Sequence, residues 1–555
     1  MHYYRALEIA RKEKHITNIV QFLINLTELA ELQQHLSLAR QYAKQAYELL
    51  ATTDTSFLQI RLLIVLCRVE LRLHNLSSAQ QFAVQALIQA AHLNDTVGTV
   101  GSRSLLALIA HRCKKDDSAR YHIQHAIKIL ETMQSKLDLS KFKAIFLSQA
   151  ADVYALAAWL AASQGQAEEA FYWAEKSRAR AYLDQISDQP IKLNPKTTPL
   201  IVMQAMEVRR EIIRLETNLR NEYAKPNNQQ QKRLMLEWQQ SLGLKQTAYQ
   251  HLLLELKGSN PKYVSLINSD VLTLQQIQEH VLDKKTTLIA YFTIDELISQ
   301  QTLVWAIDQK HVKLVLLQSG QNELTTKVVL FRKAIEAQTE VTAKSMRLYE
   351  DLITPMQSHI QHENLIIIPH GILYYLPFAT LWDVRKKQYL VEQHIISYAP
   401  IASMIPKFQT QQISTKCQVP TLGSVNYKLV NPLFSRIELF SSLCRTHPFE
   451  IHEIYNLDLD EANPVILSVG NLAVSEFSRG DEISHLVQAF FYASTAGLVY
   501  TLWTIDPGIT TQIMNSFLRY RKDGMNDTEA LNHAQREILT QEEYGMCHIA
   551  GQHFK

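Results

Sequence analysis

Glycine and proline are scarce, at 15 each in 555 residues. So few turn-forming residues exclude a loop-rich or tightly turning barrel architecture and favour helices. Cysteine is scarcer still. The five cysteines (Cys67, Cys113, Cys417, Cys444, Cys547) show no CxxC spacing, which argues against a zinc site and a disulfide framework. Neither sign of charge dominates: 56 basic and 54 acidic residues leave a formal +2. The clustered positive charge that a nucleic acid or an anionic membrane would need is therefore missing. The longest apolar stretch, Val153 to Ala162, is half of what a membrane span requires. The N-terminus, MHYYRALEIARKEKH, is amphipathic and has no apolar signal-peptide core. These absences predict a cytoplasmic protein with no metal, no cofactor, no nucleic-acid partner and no membrane segment. The length, beyond what one core can serve, predicts two or more domains.

What is present is first a repeat. Alanines fall at 39, 43 and 46, again at 79, 83 and 86, and then as Ala119, Ile123 and Ala126, a period of 40. A fourth set, Ala170, Ala174 and Ser177, follows a longer connection. Each of the last three sets follows a more apolar helix and a short polar turn. Small residues at i, i+4 and i+7 let the two helices of a hairpin approach closely, and stacked hairpins make a solenoid. The pattern resembles tetratricopeptide repeats with a period lengthened from the common 34 residues. Ala6 and Ala10 read as the second helix of an incomplete pair. Residues 1–188 are thus predicted to be an α-solenoid whose concave surface binds a protein partner. The mixed charge along these helices reads as a solvated face. Arg178 and Arg180, in the helix YWAEKSRARAYLDQI, read as flanking its apolar face.

A Pro-containing linker, DQPIKLNPKTTP, then breaks the pattern, and residues 189–270 read as linker and helical hairpin. From about Leu272 the period changes. TTLIAYFTID, QTLVWAID and VKLVLLQ read as neighbouring strands, the first two antiparallel. Further buried strands are predicted at Leu365–Ile368, Ile395–Tyr398, Arg436–Phe440, Val465–Ser468 and Gly497–Trp503. Their alternation with helices predicts an α/β domain over 271–555 with a mainly parallel sheet. Ligands of such sheets bind outside the carboxyl ends of the strands. That directs attention to the loop after Val465–Ser468, whose ionisable groups are Glu476 and Arg479, with Asp481 just beyond.

LIIIPHGILYYLPFATLWD, NPLFSRIEL, EIYNLDLDEANPVILS, GDEISHLVQAFFYASTAGLVYTLWTID and ALNHAQREIL together resemble a CHAT domain, the caspase-like cysteine peptidase domain that follows tetratricopeptide arrays. AEKSRARAYLDQI resembles the junction segment of the same proteins, some of which act in bacterial defence or stress signalling as proteases switched on by a partner. The resemblance implies a His-Cys dyad at adjacent strand ends, with imidazole as base for a thiolate. Neither member is found. Counting back from Gly480-Asp481-Glu482 puts Gly470 at the nucleophile position. An ungapped count puts Ser424 at the histidine position. TLGSVNY also resembles the strand that normally precedes the histidine by a long stretch, and the favoured alignment is an internal deletion near 401–430 that removed the His-bearing strand. The expectation is an inactive peptidase homologue that works by protein binding. The alternative is an active cysteine peptidase with a relocated nucleophile, drawn from Cys444 with His447 or Cys547 with His548. His370 reads as shaping its Pro-His-Gly turn, Ser468 as a strand-end hydroxyl without a base, and Asp506-Pro507 as the cap of the helix that follows.

Overall fold

The computed structural model describes residues 2–13, 15–50, 56–136, 142–187, 231–259, 271–405, 421–428, 436–439, 449–450, 464–469, 497–502, 507–540 and 551–554, with scattered positions between 204 and 222 and between 454 and 490. By internal contacts the chain divides into Met1–Leu160 with Pro195–Ile267, and Ala161–Asn194 with Asn268–Lys555.

The first unit is helical. Its helices are α1 (His2–Lys12), α2 (Ile16–Leu32), α3 (Leu36–Leu50), α4 (Ser56–Arg72), α5 (Leu76–His92), α6 (Thr96–Arg112) and α7 (Asp116–Lys136). Then comes α8 (Phe142–Ser163), whose last turn belongs to the second unit. Helix α10 (Lys232–Ser259) also falls in the first unit. The small residues do what their spacing demands. Ala39, Ala43 and Ala46 on α3, Ala79, Ala83 and Ala86 on α5, and Ala119 and Ala126 on α7 are fully buried. A larger side chain at any of them would push the hairpins apart. The hairpin turns repeat as well. Gln34, His74 and Lys114, 40 residues apart, each take the left-handed conformation (φ 61°, 61° and 57°), followed by a hydrogen bond such as Asn75 N–H to Glu70 O. These are αL helix ends made without glycine.

The charged face is not wholly solvated, contrary to the sequence expectation. The Glu31 carboxylate is fully buried on α2, with Arg68 at 2.9 Å and Arg72 at 2.9 Å from α4. Thirty-nine residues on, buried Glu70 receives Arg40 at 2.8 Å and the Asn75 amide at 2.8 Å. Burial of a lone carboxylate would be prohibitive, and the arginines offset it. Arg112, 40 residues after Arg72, reaches the Leu71 carbonyl at 2.9 Å.

The second unit opens with α9 (Ala167–Ser187) and is built on one sheet. Its strands are β1 (Thr286–Thr293), β2 (Thr302–Ile307), β3 (Val312–Leu317), β4 (Asn364–Ile368), β7 (Ile395–Tyr398), β8 (Thr421–Lys428), β9 (Arg436–Leu439), β10 (Phe449–Glu450), β11 (Val465–Val469), β12 (Leu498–Thr501) and β13 (Gly551–Phe554). The short pair β5 (Trp382–Asp383) and β6 (Gln388–Tyr389) stands apart from it. The order is β10-β9-β8-β11-β12-β13-β7-β4-β1-β2-β3. β8-β11-β12 and β7-β4-β1 are parallel, whereas the outer strands on both sides run antiparallel. β13 joins the two parallel sets, antiparallel to β12 and parallel to β7. All residues of β1 and β2 are buried, as their continuous apolar runs require of a sheet covered on both faces.

Helices α11 (Leu274–His280), α12 (Gln321–Ala337), α13 (Val341–Leu352), α14 (Pro507–Lys522) and α15 (Asp527–Leu539) also belong to this unit. α9 packs on the sheet through Phe171, edge-on to Trp305 of β2 at 5.6 Å, while the Trp305 indole N–H donates to the Ala167 carbonyl at 3.0 Å. α15 is fastened by Asn532, whose buried amide both accepts from Ile396 N–H and donates to Ile396 O of β7, each at 3.0 Å. Arg536 adds bonds to Val391 O and His394 O.

Candidate functional site

Within each parallel set the strands place their carboxyl ends on one edge of the sheet, and β13, antiparallel to β12 and parallel to β7, makes the two sets run in opposite directions. β8 and β11 are hydrogen-bonded neighbours in parallel, with Ile466 opposite Thr421, Leu467 opposite Leu422 and Val469 opposite Val425. Ser468 sits where this register shifts, across from the stretch of β8 that carries Ser424. On its other side β11 pairs in parallel with β12, Leu467 opposite Tyr500. Gly470 follows the last residue of β11 and lies outside the described residues, as do Glu476, Arg479, Asp481, Cys444, His447, Asp506, Cys547 and His548. Beyond the loop, Leu486, Val487, Ala489 and Phe490 are helical and buried. Pro507 is the first residue of α14.

Two groups of described side chains lie at strand ends. The first surrounds His370, at the end of β4. Its Nδ1 accepts from the Thr293 backbone N–H at 3.2 Å and pairs with the Thr293 hydroxyl at 2.8 Å, on the last residue of β1. Its ring lies 4.4 Å from that of Phe292. Arg178, from α9, stands over that Phe292 ring at 5.2 Å and donates to the Tyr291 carbonyl and to Glu175 Oε1, the latter at 2.6 Å. Burial, followed by the Arg178 guanidinium, pushes His370 down to about 3, so the ring is neutral with Nδ1 as acceptor. A base so weak holds no proton to exchange near neutrality. Its work is to fix the Pro369-His370-Gly371 turn to β1, as the sequence suggests. Arg178 and Arg180 are not flanking residues: both are buried, and Glu175 is fully so. The reason is that the guanidinium of Arg178 finds a carboxylate and a carbonyl of β1 inside.

The second group was not anticipated. Arg332 sits on the buried face of α12 among Leu324, Val328, Phe331 and Ile335, and donates to Leu502 O at 2.7 Å, just past β12. The Tyr375 ring lies 5.6 Å away, and Tyr500 adds its phenol nearby. Burial pushes the arginine down to about 10, a large shift for a guanidinium. The signal that could have found it is an arginine interrupting an otherwise apolar i, i+4, i+7 stripe.

Among the described residues no His, Cys, Asp and Glu group of three or more could hold a metal ion. Of the cysteines, Cys67 is buried in the array with its thiol pushed up to about 12 by burial, and Cys113 is exposed. A thiol raised so far is no nucleophile.

A helical repeat array followed by a mixed sheet whose inner strands are mainly parallel defines the class of protein. The CHAT domain family model matches residues 342–430 and 421–548, in the C-terminal half of this chain. No curated protein matches the chain. Among solved structures, it is similar to the Saccharomyces cerevisiae separase-securin complex at 8% identity and a TM-score of 0.33. That match covers 97% of this chain and 49% of the other, so the chain spans about half its length. No described helix is long and apolar enough to cross a membrane.

Proposed function

We propose that this CHAT-domain protein is an inactive peptidase homologue that acts in the cytoplasm by binding a protein partner through its helical array. The observation that carries the reading is Gly470, directly after β11, at the position where the family's nucleophile is expected. A hydrogen cannot attack a carbonyl. The histidine position supports the same reading. Both family matches include residues 421–430, as though one strand served the segment before the histidine strand and the segment after it. β8 is the strand beside β11, and it carries Ser424 rather than a histidine. An internal deletion near 401–430 accounts for both facts.

The array supports the binding half. Three sets of small residues and buried ion pairs hold its helices at fixed spacing, which suits an extended protein-binding surface. The test is an assay of the purified chain against unfolded protein substrates with a thiol-directed covalent probe. No cysteine-dependent cleavage and no active-site labelling are expected. Cleavage abolished by Cys444→Ala or Cys547→Ala would establish a relocated nucleophile instead. A restored dyad, Ser424→His with Gly470→Cys, would sharpen the result in either direction.

A further inference from the structure

We propose that Arg103, His122 and His125, gathered around Tyr121 on the array, form a receptor for one oxyanion group, a phosphate or carboxylate, carried on a peptide partner; this rests on the array being the partner surface.

The group spans two helices. Arg103 of α6 places its guanidinium 5.9 Å from the centre of the Tyr121 ring on α7. The His125 ring lies 4.1 Å from the same ring, and His122 lies edge-on to it at 5.3 Å. His125 is anchored by Nδ1 against the Tyr121 carbonyl at 2.8 Å, which fixes the ring's direction. Tyr121 itself is 52% exposed, so the cluster is open to solvent on one side.

Its chemistry is lopsided. Three basic groups converge, and among the described residues none of them is paired with a carboxylate. This contrasts with Arg40, Arg61, Arg68 and Arg72 in the same array, each of which holds a glutamate. Arg103 Nε and His122 Nδ1 are enclosed and have no hydrogen-bond partner. Buried polar atoms without partners are uncommon and cost stability. Burial first, then the Arg103 and His125 charges, hold His122 below the usual imidazole range. An oxyanion seated against the open side of the guanidinium accepts from the planar fork and favours the charged form of each imidazole. The exposed phenol ring supplies a flat apolar wall for the chain that bears the anion.

The test is calorimetric titration of the full chain with inorganic phosphate, phosphoserine and glutarate at low salt, beside Arg103→Met, Arg103→Lys and His122→Phe. Binding of at least one oxyanion is expected, weakened about tenfold or more by Arg103→Met and less by Arg103→Lys. Phosphoserine binding without glutarate binding would identify a phosphorylated partner, and the converse an acidic one. Thermal unfolding of each variant separates lost binding from lost folding. Equal affinity in wild type and a folded Arg103→Met chain, or no binding at millimolar probe, overturns the proposal. Affinity capture distinguishes it from the broader reading. A partner captured equally by wild type and Arg103→Met leaves partner binding intact and removes this site. Oxyanion binding with no partner captured does the reverse.

Discussion

The two units bury charge with different emphasis, although the sheet unit too holds one buried carboxylate, Glu175, with an arginine, Arg178. In the array, buried carboxylates are held by arginines from a neighbouring helix: Glu31 by Arg68 and Arg72, Glu70 by Arg40. In the sheet unit, buried or half-buried polar side chains are spent mainly on main-chain groups. Arg178 meets Tyr291 O, Arg332 meets Leu502 O, Asn532 meets both groups of Ile396, and Arg536 meets Val391 O. A repeat supplies its own complement, since each hairpin presents the same side chains to the next. A sheet covered by unlike helices has no such recurrence, and its buried donors turn to backbone carbonyls.

The comparison can be broken most forcefully at Glu31. Glu31→Ala leaves two arginines facing each other without their carboxylate, and a loss of about 3 kcal/mol or more is expected in urea unfolding. A change below about 1 kcal/mol would mean that solvent already neutralises the pair. In the sheet unit the largest effect is on pH dependence. His370 titrates near 3 when folded and near 6.5 when unfolded, so the unfolded chain takes up the proton first. Its contribution is complete above the unfolded value and drains away as pH falls toward 3, with a slope approaching 1.4 kcal/mol per pH unit, about 3 kcal/mol between pH 6.5 and 4. His370→Gln should flatten that part of the curve, and an unchanged slope would show that the ring is not held neutral. Asn532→Leu removes both bonds to Ile396 at once and is expected to cost about 2 kcal/mol by thermal unfolding, with Asn532→Asp no better because it can only accept. The smallest effect belongs to the exposed pair Lys44–Glu48, 3.9 Å apart: Lys44→Ala should leave the array's unfolding midpoint where it was. A clear shift there would mean that surface pairs matter as much as the buried ones.

The parts of the fold that were legible are those in which one residue type has one use. Alanine at 39, 43 and 46 and its 40-residue echoes can only mark close helix contact, and the apolar runs of β1, β2, β4 and β7 can only be buried. Buried charge was not legible. Glu31 and Glu70 look like any surface glutamate, and Arg178 and Arg332 like any surface arginine, because their partners lie about 30 to 170 residues away. β13 was missed for a related reason. Gly551-Gln552-His553-Phe554 has no alternation of its own and becomes a strand only between β12 and β7. At the candidate site, motif spacing alone located Gly470, and the neighbouring strands then supplied its surroundings as far as the end of β11.

That last strand has a consequence for how the molecule is made. β7, β4 and β1 can assemble early from nearby sequence, and β8, β11 and β12 can form a second patch of sheet. Their union waits for four residues beyond position 550. During synthesis the ribosome therefore holds two unjoined half-sheets with exposed edges, the condition most open to wrong pairing. A chaperone that shields a strand edge would be needed for longest at the seam between β12 and β7.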